Sequence, residues 1–249
     1  MANLYEGKMA AIYDAMYQSF IDYDQEFSSY FDLIKQYKCQ SVLEIGSGTG
    51  NLAKRFWENQ FEYYGLDFSQ SMILIAQNRN PETTFIHADM RDFELKKKVD
   101  AIIITGRSSS YLLSNQDVNN AFQSIYKNLN NDGMLIFDIV DANRFVPFFT
   151  ENKNVIHQAS FDGINYLRES NWELEAKDNF LVRWKAQYFT IENQKRAVFF
   201  EDESTVRVFT INEIQLFLWL HGFEILQTID RKTYAYDTYI IVARKIQGI

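Results

Sequence analysis

The chain has 249 residues, 47% of them apolar, 23% charged and 16% aromatic, with a formal net charge of −8. That is the profile of one α/β-sized domain with an elaboration and a proper core. The acidic balance, with no basic run denser than "LKKKV" at 95–99, offers no footprint for neutralising phosphates, so no nucleic-acid partner is expected.

Cys39 is the only cysteine, which rules out an internal disulfide and suits a reducing compartment. No window approaches the roughly 18 apolar residues of a membrane span. The opening "MANLYEGKMA" lacks the apolar core of a signal peptide. The expectation is a cytoplasmic protein without a membrane partner, acting as a monomer or homodimer.

Along the chain, residues 5–37 place Ile12, Met16, Phe20, Phe27, Tyr30, Phe31 and Ile34 at helical spacing, predicting two helices with a bend near 22–25. "SVLEI" (41–45) reads as a buried strand, "NLAKRFWENQ" (51–60) as a helix and "YYGLD" (63–67) as a second strand. Ser69 can cap a helix over 69–80 that has Met72, Ile73 and Ala76 on one face. "TTFIHA" (83–88) is strand-like, and "VDAIIIT" (99–105) is unbroken and apolar, as central parallel strands are. Ser114 and Asp117 form a capping-box pair opening a helix over 115–129. "NDG" then turns into a fifth strand, "MLIFDIV" (134–140). Strand–helix alternation of this kind means a parallel sheet covered on both faces.

From about 151 to 209 the apolar residues instead alternate in aromatic-rich runs at 165–175, 179–191 and 196–209, separated by the turn-prone "AKDN" (176–179) and "ENQK" (192–195). This predicts an antiparallel meander of three or four strands. Thr210 and Glu213 form a second capping-box pair for a helix over 211–221, with Gly222 as its stop. The segments 223–230 and 238–245 close the chain as strands, the second antiparallel to the first.

The informative corner is "VLEIGSGTG" (42–50), where Gly46, Gly48 and Gly50 lie between a strand and a helix. Without side chains the backbone can turn sharply there and approach a ligand closely. The dinucleotide fingerprint G-x-G-x-x-G needs its third glycine at Asn51, so that match fails by one residue. The pattern E-x-G-x-G-x-G, with Glu44 two residues before the first glycine, resembles motif I of class I S-adenosylmethionine-dependent methyltransferases. Asp67 at the end of the second strand, "ADMRDF" (88–93) after the third and "ITGRSSSYLL" (104–113) after the fourth extend that resemblance. The "IYDAMY" segment (12–17) looks most like the small-molecule branch containing amino-sugar N,N-dimethyltransferases and glycine N-methyltransferase-like enzymes.

The resemblance implies a Rossmann-like α/β fold: a seven-stranded, mainly parallel sheet with a reversed last strand, helices on both faces and an antiparallel insert. It divides the chain into a helical lid (1–37), a cofactor-binding core (38–150), an insert over the substrate side (151–209) and a C-terminal completion of the sheet (210–249). It implies S-adenosylmethionine as cofactor, bound by Glu44, Gly46, Ser47, Gly48, Gly50, Asp67, Phe68, Met72, Asp89, Met90 and Thr105, with Tyr13 and Tyr17 folding over it. In this reading Glu44 meets a backbone amide or the ligand's ammonium, Asp67 the ribose hydroxyls, and Asp89 and Met90 the adenine.

On the acceptor side the candidates are Tyr17, Arg107 and Tyr111. Each has a plainer alternative: a packed Tyr13–Tyr17 pair, a surface ion pair for Arg107, a packing role for Tyr111. The branch often carries a small or amide residue where Arg107 stands. Arg207 reads equally as a ligand contact or a structural pair, Asp89 as a turn cap, and His87 as a core residue. No His, Cys or carboxylate spacing suggests a metal site. The expected reaction is methyl transfer to a small-molecule acceptor, an amine nitrogen in preference to oxygen. The alternatives are an O- or protein methyltransferase, or a non-catalytic binder of the same cofactor.

Overall fold

The computed structural model describes residues 4–151, 154–175, 180–192, 195–233 and 236–246. Its main sheet has seven strands: β1 (Ser41–Ile45), β2 (Glu62–Asp67), β3 (Thr84–His87), β4 (Val99–Ile104), β5 (Leu129–Ile139), β10 (Phe223–Arg231) and β11 (Thr238–Lys245). Their order across the sheet is β10-β11-β5-β4-β1-β2-β3, and β11 alone runs antiparallel to its neighbours.

Successive residues of a strand face opposite sides, and the two sides bury different helices. Val42, Tyr63, Ile103 and Ile136 meet α2 (Tyr23–Gln36), α3 (Ala53–Glu58) and α4 (Gln70–Arg79). Leu43, Ile45, Ile102 and Phe137 meet α5 (Asn115–Asn128) and α7 (Ile211–Leu220). All five residues of β1 are buried because both of its faces are covered.

The caps hold as local chemistry dictates, with one exception. Ser69 accepts from the Met72 amide, and Ser114 and Asp117 make the full reciprocal box at the start of α5. At α7 only half of the expected box forms. Thr210 accepts from the Glu213 amide at 3.2 Å, but the Glu213 carboxylate turns to the buried Arg207 instead. The turn expected at 131–133 is absorbed into β5. Asp132 takes a left-handed conformation (φ 59°) and the β4–β5 register slips between Val99 and Ala101.

A helix absent from the sequence reading follows β5: α6 (Ala142–Glu151), which carries Pro147 in its interior. Proline there normally argues against a helix; burial of Phe145 and Phe149 one turn apart sustains it.

The meander has four strands: β6 (Val155–Phe161), β7 (Ile164–Glu175), β8 (Leu181–Glu192) and β9 (Lys195–Arg207), paired in that order. The turn expected at 176–179, and the central residues of the one at 192–195, lie outside the described residues. α1 (Gly7–Gln18) and α2 part company at the expected bend. Met9, Ile12 and Met16 of α1 pack with Tyr166, Trp184 and Tyr188 of the meander, whereas α2 belongs to the main sheet.

The α5 box gives a direct check of local design. Ser114→Ala should lower stability by about 1 kcal/mol in urea unfolding, with the denaturant slope unchanged. No loss would mean the box is redundant with α5 packing.

Candidate active site

The chain runs β1–β2–β3 to one side of β1, then crosses to β4 on the other. In open α/β sheets ligands bind at such a switch point, beyond the strands' carboxyl ends. Here that place opens into a cavity of about 590 Å³, a size typical of small-molecule sites. Every site residue expected from the sequence borders it except Gly50. A Cβ on Gly50 would meet Asn80 at 2.7 Å and Phe85 at 2.9 Å, so this glycine lets the following segment pack on α4 and β3 and does not face the cavity. A Cβ on Gly46 would strike Ser108 Oγ at 1.9 Å, because the loops after β1 and β4 touch there. Gly48, at φ 52°, would meet nothing within 4 Å; its open side is the cavity.

Glu44 lies on the apolar side of β1 in line with Val42, 3% exposed. It accepts hydrogen bonds from Tyr63 (2.6 Å) and Thr105 (2.7 Å). Burial pushes its carboxyl from 4.5 up to about 7, although both hydroxyls favour the ionised form. Asp67 at the end of β2 accepts from the Gly48 amide (2.8 Å) and the Ser69 amide (2.9 Å), which ties the glycine turn to β2. Burial raises its pKa, with these amides pulling the other way. Asp89 is held by the Arg91 side chain and amide, and Arg91 also reaches Asp117 at 2.8 Å. The Arg91 hydrogen bonds lower the Asp89 pKa.

Two serine hydroxyls bordering the cavity, Ser47 Oγ and Ser110 Oγ, are buried and find no hydrogen-bond partner among the described residues. With the open side of Gly48 and the Glu44, Asp67 and Asp89 carboxylates, they form a donor and acceptor set suited to an elongated ligand.

α1 is clamped to this corner by Asp14, which accepts from Thr49, Asn51 and Arg79. Arg79 also reaches Thr49 O at 3.1 Å and Asn51 Oδ1 at 2.6 Å. Further along the cavity Tyr13 and Tyr17 stack at 4.0 Å, and the Tyr111 and Tyr5 hydroxyls meet at 2.5 Å. Burial would raise the Tyr17 pKa, but the Arg168 guanidinium and the Tyr13 hydroxyl outweigh it and leave the phenol below its usual range. Arg107, left-handed at φ 62°, lies 4.2 Å over the Tyr236 ring and donates to Thr233 at 2.7 Å.

Two histidine and arginine readings resolve structurally. His87 is exposed, since β3 is the edge strand, and its ring meets Phe68 O at 2.9 Å. Arg207 is fully buried, donates to Asn115 (2.6 Å) and Glu213, and does not border the cavity.

The sequence reading missed Asp14, His157, Arg168, Trp172, Trp184 and Tyr236, which all border the cavity. One signal was available. Arg168 shares the inward row of β7 with Tyr166, Ser170 and Trp172, and a charge in such a row is out of place in a plain core.

The raised Glu44 pKa makes stability pH-dependent, with a definite sign. A carboxyl that titrates higher in the folded state contributes stability fully present below its unfolded pKa of 4.5 and lost as pH rises through about 7. Glu44→Gln should therefore gain on the wild type across that window, by on the order of 3 kcal/mol once Glu44 is ionised. Urea unfolding at several pH values checks this; parallel curves for the two proteins would refute it.

Comparison with known proteins converges on this geometry. Residues 42–133 match the methyltransferase domain family. YqeM of Bacillus subtilis (strain 168), a methyltransferase by inference only, is 26% identical over 226 residues, 89% of this chain and 87% of that protein. The dTDP-3-amino-3,4,6-trideoxy-alpha-D-glucopyranose N,N-dimethyltransferase of Streptomyces venezuelae is 30% identical over 138 residues, 54% of this chain and 58% of that enzyme. The chain thus spans little more than half the length of the curated sugar N,N-dimethyltransferases it matches. The sugar N-methyltransferase KedS8 from Streptoalloteichus sp ATCC 53650 shares the fold, with a TM-score of 0.80 over 99% of this chain and 98% of that one, at 18% identity. Residues 42–133 thus carry a methyltransferase domain, and the chain resembles the class I S-adenosylmethionine-dependent methyltransferases.

Proposed function

We propose that this protein transfers a methyl group from S-adenosylmethionine to an amine nitrogen of a small-molecule acceptor. The observation that carries the reading is the row of three carboxylates, Glu44, Asp67 and Asp89, along one cavity whose wall opens at Gly48. Glu44, ionised, takes the cofactor's ammonium directly or through water. Asp67 keeps unused lone pairs for the ribose hydroxyls beside its two amide bonds. Asp89 and Met90 take the adenine, Phe68 and Met72 cover it, and Ser47 and Thr105 face the amino-acid end. Gly46 and Gly48 leave the backbone bare against the ligand.

The cofactor, when bound, supplies the methyl group and its leaving group. The protein's part is positioning, where proximity and orientation can contribute up to about 7–11 kcal/mol. In this reading the Tyr17 and Tyr111 hydroxyls accept a hydrogen bond from an acceptor amine and turn its lone pair to the methyl. An acceptor ammonium need only lose one proton to give the neutral amine that attacks, and the methylated product can shed its proton to water, whereas a hydroxyl acceptor would need a positioned base or metal. Arg107 borders the same space. The amine preference also draws on the relatives, which by name methylate amino-sugar nitrogens. The meander strands form the wall opposite the glycine corner and shape the acceptor space.

α1 is the lid of this arrangement. Its anchor on the core is polar, Asp14 on Thr49, Asn51 and Arg79, and its apolar face follows the meander. Closing it over the cofactor would exclude water and bring Tyr13 and Tyr17 onto the amino-acid end.

Calorimetric titration tests the cofactor assignment. S-adenosylmethionine and its demethylated product should bind and NAD should not; the reverse pattern would sink it. Gly48→Val should abolish that binding while the protein stays folded, at a backbone cost of about 1–2 kcal/mol for a branched residue in the left-handed region. A methyl-transfer assay against pooled amines then tests the reaction.

The lid has its own check. Hydrogen exchange should show residues 5–23 more protected with the cofactor or its product. Tyr17→Phe should weaken binding by about 0.5–1.5 kcal/mol if its partner is neutral. Equal protection with and without ligand would mean a permanently docked helix.

A further inference from the structure

The acceptor side of the cavity holds a buried guanidinium that no carboxylate pairs with among the described residues. Arg168 is 4% exposed on the inward row of β7 and borders the cavity. Its Nη2 donates to His157 Nδ1 at 2.9 Å, while Nε and Nη1 make no hydrogen bond. Around it lie the rings of Tyr17 at 5.2 Å, Trp184 at 5.7 Å and Phe20 at 5.8 Å, and the Tyr17 and Tyr188 hydroxyls favour its charge. Among the described residues no carboxylate pairs with it. Ring faces attract a cation, but they do not satisfy N–H donors, and a buried charge with unmet donors is costly.

The group beside it points the same way. Arginine can only donate, so His157 Nδ1 must be the acceptor and the ring proton sits on Nε2. Burial and the Arg168 charge hold the His157 pKa down at about 4, so the ring stays neutral and this tautomer persists. His157 also borders the cavity. The corner therefore offers donors from both side chains. The cavity's carboxylates lie elsewhere: Glu44, Asp67 and Asp89 at or just beyond the strands' carboxyl ends, and Glu6, Asp14 and Glu26 on the N-terminal helices.

We infer that the methyl acceptor carries an anionic oxygen group, a carboxylate or a phosphate, that docks on Arg168 while its amine faces the cofactor. This rests on the functional reading above and narrows its substrate class. The separation of charge in the cavity gives the acceptor one orientation. An anionic end is drawn to Arg168 and repelled by the carboxylates at the strand ends, so the amine end is left toward the methyl. The guanidinium fork matches two oxygens of either anion.

The test uses protein saturated with S-adenosylhomocysteine, titrated with acetate and with inorganic phosphate. Tryptophan fluorescence is the readout, because Trp172 and Trp184 border the same space. Wild type should bind at least one of the two saturably. Arg168→Gln should weaken that binding by about tenfold or more, and Arg168→Lys, which keeps the charge and loses the fork, by less. Acetate binding with no response to phosphate would identify a carboxylate acceptor, and the converse a phosphorylated one.

Matched amines give a second readout. β-Alanine should be methylated in preference to propylamine, or glucosamine 6-phosphate in preference to glucosamine, and Arg168→Gln should erase the preference. Unchanged S-adenosylhomocysteine binding and melting temperature control for folding; if Arg168→Gln does not fold, Arg168→Lys carries the comparison. Anion binding that is absent in wild type, or equal in the variants, would overturn the inference while leaving the cofactor site standing. Wild-type protein that fails to bind S-adenosylmethionine would overturn the functional reading, and this inference with it.

Discussion

The hydrogen bond from the Gly48 amide to the Asp67 carboxylate organises the working end of the molecule. A chain leaving β1 must reverse at once to start the segment that leads into α3, and it does so through glycines at positive φ. Such a turn leaves amides pointing outward with no partner of their own. Asp67, at the end of the adjacent parallel strand, supplies an acceptor for one of them and another for the start of α4 through Ser69. One side chain thus fixes the glycine corner against β2 and places its own carboxylate at the cavity edge. β1 and β2 can bring these groups together only because their register sets Ile45 beside Leu66, one residue short of each turn.

On the other side of β1 the same logic applies with a buried charge. Glu44 occupies an inward position where Val42 and Tyr63 make an apolar layer. Its two hydroxyl partners come from β2 and from the loop after β4, so a single carboxylate gathers three consecutive positions of the sheet. Its elevated pKa is the cost of that burial. Burial favours its neutral acid, and the two hydroxyls favour the anion.

The N-terminal helices divide their loyalties, and this shapes the acceptor side. α2 belongs to the main core through Phe27, Tyr30 and Ile34. α1 packs its apolar face on the meander and its polar face on the glycine corner. The meander contributes Arg168, His157, Trp172 and Trp184 to a wall that the α/β core could not supply. The cavity is thereby walled by different parts of the chain, and the stacked Tyr13 and Tyr17 border it as well.

The sequence by itself determined the strand–helix rhythm, the reversed final strand, the α4 and α5 caps and the glycine corner with its flanking carboxylates. These are local matters: hydrophobic period, a hydroxyl three residues before an amide, glycine where φ must be positive. Tertiary structure decided the rest. Gly50 looks identical to Gly46 and Gly48 in the pattern, yet only the position of Asn80 and Phe85 shows that it serves packing. α6 forms despite Pro147 because Phe145 and Phe149 find a core that local propensity does not foresee. The Glu213 carboxylate leaves its capping box for an arginine buried by distant contacts. Arg168 stands more than 100 residues from the glycine corner in the chain and faces the same cavity only because a long insert folds back over the strand ends. Periodicity reports which face a residue takes on its own element; which elements then confront each other is set by long-range packing.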